Sequence, residues 1–338
     1  MHLEISVRKL PLKHTFTIAH QSRDAQETLI VKISEGEMYG LGESTTNPFY
    51  GMTAENMAGC LREAAMFLRG KSLRHPNDLW EDTQVFFKGN PFAQCALDMA
   101  VWDLYAKSAG KKLYELLKLD PGKIPLTNFT IGIAPIEKMV SKMKEFSWPL
   151  YKIKLGTDHD LDIIKELRKH TDAVFRIDAN CAWTAEQAIR YSEEMQSLNV
   201  EFMEQPLAQR DFEGMKEVYK YSKLPVIADE SCMTEEDVDK CHGLFHGINI
   251  KLVKAGGITP ALRMLEKAKS LGMKTMVGCM TESSVGISAI AHIAPLLDYV
   301  DMDGSMLLAK DIAEGVKIYP DHVQFPDRDG IGALLIPN

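Results

Sequence analysis

The spacing of apolar positions changes character along the 338-residue chain. Leu3–Leu10 and Glu27–Ile33 are rich in β-formers, and Gly36–Gly42 is punctuated by glycine, so the N-terminal part predicts antiparallel strands. Residues 54–68 and 91–110 then repeat at helical spacing. In the second stretch Ala93, Ala96, Leu97, Ala100, Val101 and Leu104 share a stripe, which predicts one buried face, with Gly110 at the C-terminal end. From about residue 125 short apolar runs alternate with amphipathic stretches. The runs are Leu126–Ile133, Leu150–Gly156, Ala173–Ala179, Val200–Gln205, Pro225–Asp229, Gly247–Val253, Lys274–Cys279 and Tyr299–Asp303. Helical patterns lie near 136–147, 159–170, 184–198, 211–222, 234–242, 259–271 and 283–296, with Thr184 and Thr234 placed to cap two of them.

Strands alternating with helices pair in parallel, and eight of them can close into a barrel. The expectation is an α/β fold: a (β/α) TIM-like barrel over 121–308, preceded by an α+β capping domain over 1–120. Residues 309–338 hold the strand-like Val316–Tyr319 and the turn-rich Pro326–Ala333. They follow a complete barrel and are expected to return to the capping domain.

The ends of the barrel strands carry the chemistry. Lys154, Asp178, Glu204 and Asp229 stand at the ends of four successive strands and Lys251 lies on the next, with spacings of 24, 26, 25 and 22 residues, each about one βα unit. A single charge there reads as a solvated strand end. Five in register on apolar strands read as a shared site at the C-terminal mouth, because charges are rarely buried without a partner or metal. Three carboxylates make an all-oxygen donor set suited to Mg²⁺, whereas no His or Cys stands at an equivalent position to favour zinc. The two lysines flank that trio in sequence, and in a ring they would face each other across it. A base on each face of a carbon lets a proton leave one side and return on the other. A lysine base must be neutral, so its pKa must fall, and a nearby metal and Lys152 would both push it down.

Composition narrows the function classes. A net charge of −8 gives no basic footprint for nucleic acid or an anionic membrane. Mean hydropathy is −0.16. The longest nearly apolar stretch, Ile287–Leu297, is interrupted by His292 and Pro295 and is too short to span a bilayer. No signal segment is visible at Met1–Leu10, and the six cysteines form no CxxC pair, so a cytoplasmic protein with reduced thiols is expected. A homo-oligomer is left open.

Gly40–Glu43 (GLGE), the helix Ala96–Leu104, KIKLG, DAN, EQP, ADES, KLVKAGG and PDRDGIGA occur in the order found in the enolase superfamily. The resemblance is to its muconate-lactonising-like subgroup and spans nearly the whole chain. It implies a capping domain plus a (β/α)7β barrel. It also implies one Mg²⁺ on Asp178, Glu204 and Asp229, acid/base roles for Lys154 and Lys251, and a substrate-carboxylate role for Lys152; a Lys or His base with Mg²⁺ is known in that superfamily. Within the subgroup, Asp301 and Asp303 on the last strand resemble the Asp-x-Asp that holds a dipeptide's ammonium group in dipeptide epimerases. Thr130, Cys279 and Met280 are expected to line the substrate pocket, and Asn180, Glu230 and Glu282 to support it. Loops near 16–24 and 47–52 are expected to sense the substrate side chain. Ala-Glu epimerases carry an arginine in the first loop, but here the matching stretch reads Phe16–Gln21 and Arg23 falls late. The expected substrate is therefore an Ala-Xaa dipeptide with an uncharged or hydrophobic Xaa. An N-acylamino-acid racemase or o-succinylbenzoate synthase would share the metal ligands and lysines without needing Asp301 and Asp303. A non-catalytic metal- or acid-binding barrel would need neither lysine.

Overall fold

The computed structural model describes residues 1–19 and 21–337, apart from the Gln21 side chain. Strands β1 (His2–Ile18) and β2 (Gln21–Glu35) form a long antiparallel hairpin, and β3 (Met38–Thr45) pairs with β2. Both hairpin strands run well beyond the apolar runs. Their outer ends carry Lys13, His14, Thr15 and Asp24, so alternation fades where neither face covers a core. Within the segment expected as a loop, residues 16–18 and 21–23 are thus paired strand, with Phe16 opposite Arg23 and Ile18 opposite Gln21.

Helices α1 (Ala54–Leu68), α2 (Pro76–Thr83), α3 (Pro91–Ser108) and α4 (Leu113–Leu116) follow, α2 having escaped the periodicity. The expectation of one buried face on α3 is corrected. Fourteen of its 18 residues are buried, because it is packed between β3 on one side and the barrel on the other. Gly40 and Gly42 make the first contact possible: a Cβ there would lie 2.1 Å from the Ala100 carbonyl oxygen and 2.0 Å from that of Ala96. On the barrel side Asp98 accepts from the Thr259 amide (2.9 Å) and hydroxyl (2.7 Å), so a charged residue on α3 is buried but satisfied.

The barrel elements are β4 (Phe129–Ile131), α5 (Ile136–Glu145), β5 (Leu150–Lys154), α6 (Asp160–Arg168), β6 (Val174–Asp178), α7 (Ala185–Met195), β7 (Val200–Glu204), α8 (Phe212–Tyr221), β8 (Val226–Ala228), α9 (Asp237–Cys241), β9 (Gly247–Lys251), α10 (Leu252–Ala255), α11 (Ile258–Ser270), β10 (Lys274–Gly278), α12 (Ser284–Ile293) and β11 (Tyr299–Val300). Strands β4 to β11 form one eight-stranded parallel sheet in chain order. A parallel bridge between Thr127 and Val300 joins its two ends into a ring. Two details differ from expectation. The helix near 234–242 shrinks to α9, and Thr234 is not its cap: the Asp237 carboxylate takes the amides of Met233 and Thr234 and turns the chain there. The last strand stops at Val300, three residues early.

After the barrel the chain returns to α3 and α4. Gly330 accepts from the Leu113 amide at 2.8 Å and donates to the Lys111 carbonyl at 2.9 Å, and the Ile331 amide donates to Asp103 at 2.7 Å. Among the described residues no helix is long and apolar enough to cross a membrane.

Candidate metal and substrate site

The parallel register sets the floor of the site. Lys154 pairs with Asp178, and Asp178 with Glu204, so the ends of β5, β6 and β7 are level. Asp229 follows the last residue of β8, and Lys251 is the last residue of β9. Strands β5 and β9 are four apart in a ring of eight, hence opposite one another. The lysines that flank the acidic trio in sequence therefore stand across the barrel mouth.

Oxygens of Asp178, Glu204 and Asp229 lie within 4.8 Å of one another, and all three residues are buried. Lys152 reaches Glu204 at 2.7 Å, Asp301 at 2.9 Å and Asp178 at 3.1 Å. Lys154 meets Asp178 at 2.6 Å, and Lys251 meets Asp229 at 2.7 Å. Burial opposes the ionisation of Asp178, but Lys154 and Lys152 outweigh it and hold the carboxyl down at about 2. At Glu204 burial and the Asp178 charge win over Lys152 and push the carboxyl up to about 7. One Glu204 oxygen accepts from Asn249 at 2.7 Å, while the other takes no hydrogen bond of good angle. This is a fit for a hard divalent cation: all-oxygen donors from three strands, with mutual repulsion that such a cation relieves.

Burial alone would lower the Lys251 pKa, yet Asp229 raises it above the ordinary lysine value. Lys152 is likewise raised, by Asp301, Glu204 and Asp178 against burial. Each of these two amines has a buried carboxylate as its nearest partner.

Above the floor is a cavity of about 420 Å³, within the usual range for small-molecule sites. Thr130, Cys279 and Met280 line it, together with Lys152, Lys154 and Lys251. Asp301 and Asp303 also face it, but not as neighbours on a strand. The chain leaves β11 at Val300 and Gly304 passes so close to the 280 segment that a Cβ would sit 2.3 Å from the Met280 carbonyl oxygen. Both carboxylates are buried in the turn that results. Asp301 is held by Lys152 and by Asn128 at 2.8 Å. Asp303 accepts from the Thr130 amide at 2.5 Å; burial and the Asp301 charge push it up to about 7.

Asn180 and Glu230 were expected behind the metal ligands, but their side chains also line the cavity. They meet each other at 3.3 Å, and burial and Asp229 push Glu230 up to about 7. Glu282 does stay behind the wall, where it accepts from the Met280 amide at 2.8 Å.

Both capping-domain segments reach the cavity: Phe16, Ile18 and Arg23 from the hairpin, and Asn47 to Tyr50 after β3. His20, in the stretch matched to the arginine-bearing loop, lies outside the described residues. Arg23 is not displaced from the pocket wall, despite its late position. Its guanidinium bonds Gln26 and lies 6.0 Å above the Phe16 ring, since the hairpin register puts it opposite Phe16. Sequence reasoning missed Lys254. It is fully buried one helical turn beyond Lys251 and holds Asp229 at 2.5 Å and the Cys232 carbonyl at 3.1 Å. A lysine three residues after another in an otherwise apolar stretch was the available signal.

Residues 2–118 match the mandelate racemase/muconate lactonizing enzyme N-terminal domain, and residues 136–336 match the enolase C-terminal domain-like family. The chain belongs to the enolase superfamily. Among curated superfamily members it is 54% identical over 336 residues to a protein of Flavobacterium johnsoniae named L-Ala-D/L-amino acid epimerase, covering 99% of this chain and 100% of that one. Its fold is similar to the substrate-liganded L-Ala-D/L-Glu epimerase of Bacillus subtilis, at a TM-score of 0.93 and 28% identity, over 99% and 98% of the two chains. It is also similar to a dipeptide epimerase of Enterococcus faecalis solved with Mg and L-Leu-L-Tyr, at a TM-score of 0.92 and 29% identity, over 98% of each chain.

Proposed function

We propose that this protein is a Mg²⁺-dependent dipeptide epimerase acting on Ala-Xaa dipeptides with an uncharged or hydrophobic Xaa. The observation that carries this reading is the placement of Lys154 and Lys251 on opposite strands, both facing one cavity that also receives Asp301 and Asp303. The 54% identity to a protein named L-Ala-D/L-amino acid epimerase supports it.

Asp178, Glu204 and Asp229 would hold the metal, which when bound draws negative charge off a carboxylate beside the carbon to be deprotonated. Asp301 and Asp303 bind the dipeptide's ammonium group, which orients its C-terminal residue toward the lysines. Lys152, wedged between Asp301 and the acidic trio, balances the charge that grows on the substrate carboxylate. One of Lys154 and Lys251, in its neutral form, takes the α-proton from one face. The other, as an ammonium, gives a proton to the opposite face, which inverts the centre. Asn180 and Glu230 complete the wall near Lys251, and Phe16, Ile18 and Phe49 offer an apolar surface to the side chain. Arg23 also stands in this wall, held by the neutral Gln26 and Phe16, so Ala-Glu is the substrate against which the preference is tested. Free thiols at all six cysteines agree with a cytoplasmic setting.

The test is a dipeptide library incubated with enzyme and Mg²⁺ in D₂O and read by mass spectrometry. Deuterium at the α-carbon of Ala-Ala or Ala-Val, with interconversion of stereoisomers, is the expected result. Exchange only in N-acylamino acids would give the function to a racemase of that class. Ala-Glu turning over far faster than Ala-Val would overturn the side-chain preference.

A further inference from the structure

The GLGE motif is not used by the proposed chemistry, yet its glutamate has one of the fullest sets of partners in the molecule. Glu43 is fully buried on β3. Its carboxylate accepts from the Ser283 hydroxyl at 2.5 Å, the Ser283 amide at 3.0 Å, the Gly286 amide at 2.9 Å and the Thr28 hydroxyl at 2.9 Å. Ser283 is the N-cap of α12, and its hydroxyl also accepts from the Val285 amide at 3.1 Å. The first turn of a barrel helix is therefore capped by a carboxylate from the capping domain, 240 residues away in sequence. Helix N-termini favour an anion; burial raises the Glu43 carboxyl above the ordinary glutamate value, and the bonds from Ser283, Gly286 and Thr28 draw it part of the way back.

The two ends of that contact are walls of the same cavity. Cys279, Met280 and Thr281 lie just before Ser283, and Asn47, Phe49 and Tyr50 lie just after β3. A weak contact between the Asn47 amide and the Met280 sulfur, 3.8 Å, joins the walls again higher up. The glycines of the motif explain why the glutamate sits there. Gly40 and Gly42 let β3 press onto α3, and the residue after Gly42, on the other face of the strand, turns toward α12.

We infer that Glu43 is a positioning residue that fixes the 279–283 wall of the substrate pocket against the 47–50 wall, and so sets how tightly the dipeptide side chain is gripped. It touches neither the acidic trio nor the lysines, so it acts on binding and selectivity rather than on proton transfer. This rests on the dipeptide epimerase reading, so wild-type turnover of a dipeptide is measured first in the same assay. Failure there overturns that reading, and only a wild type that works allows the variants to be judged.

The experiment compares Glu43→Gln and the milder Ser283→Ala with wild type. Both should raise KM for the best dipeptide, roughly tenfold for Glu43→Gln, while kcat stays within about threefold. The ratio of kcat/KM values between Ala-Val and a larger Ala-Xaa should narrow. Amides 279–286 should exchange with deuterium faster in the substrate-free variants, a readout independent of activity. Lower thermal stability with unchanged KM, selectivity and local exchange would overturn the inference, as would a fall in kcat at constant KM. If Glu43→Gln does not fold, Ser283→Ala decides alone on the same criteria.

Discussion

Replacing Asp303 by Asn removes one negative charge from the proposed ammonium site and leaves its shape. The Thr130 amide, now 2.5 Å from a carboxylate oxygen, would keep an acceptor in the Asn carbonyl. What is lost is a charge-assisted hydrogen bond to the substrate, worth about 1.5–3 kcal/mol, or roughly 10- to 150-fold in kcat/KM. The assay pairs Ala-Val with its des-amino analogue, propionyl-Val, on wild type and variant. The variant should lose that factor on Ala-Val and less than about threefold on propionyl-Val, because the analogue has no ammonium group to bind. Stability separates this from general damage. Burial and Asp301 raise the Asp303 carboxyl from 3.8 to about 7, so the folded state holds this proton more tightly than the unfolded state. Asp303 therefore makes wild type give up stability as pH rises from about 4 to about 7, a contribution the variant lacks. Thermal unfolding should show Asp303→Asn gaining on wild type across that window and levelling off above it. Equal losses on both substrates, or full activity on Ala-Val, would refute the ammonium assignment.

Lys154→Ala and Lys251→Ala should each slow epimerisation by about 10³-fold while still washing deuterium into a single stereoisomer of the substrate; exchange of both isomers by either variant would contradict the two-face reading. Chelation should abolish activity and Mg²⁺ restore it, and Mg²⁺ at a hundred times its Kd should add about 2.7 kcal/mol to stability in wild type and far less in Asp178→Asn. Gly42→Ala would place a Cβ 2.0 Å from the Ala96 carbonyl oxygen. It should cost about 3 kcal/mol in thermal or denaturant unfolding, and a neutral result would show that β3 and α3 can separate freely.

The barrel was legible because each of its strands is a short apolar run, and five successive runs end in a residue whose charge has no place in a core. The regular length of the βα unit then sets the order of Lys154, Asp178, Glu204, Asp229 and Lys251 around the ring. The same logic could not reach α3. Its stripe implied one buried face, but β3 and the barrel cover it from both sides, and burial by a partner from another domain leaves no period in the helix itself. Nor could it tell that the hairpin register returns Arg23 to the pocket opposite Phe16, or that the chain bends at Gly304 and brings Asp301 and Asp303 in from a turn. Local sequence determines period, caps and which residues carry charge, because these depend on near neighbours. The tertiary structure alone decided who neutralises whom: Lys152 shared among three carboxylates, Lys254 beneath Asp229, and Glu43 capping a helix 240 residues away. Those pairings depend on distances across the fold, which no spacing along the chain records.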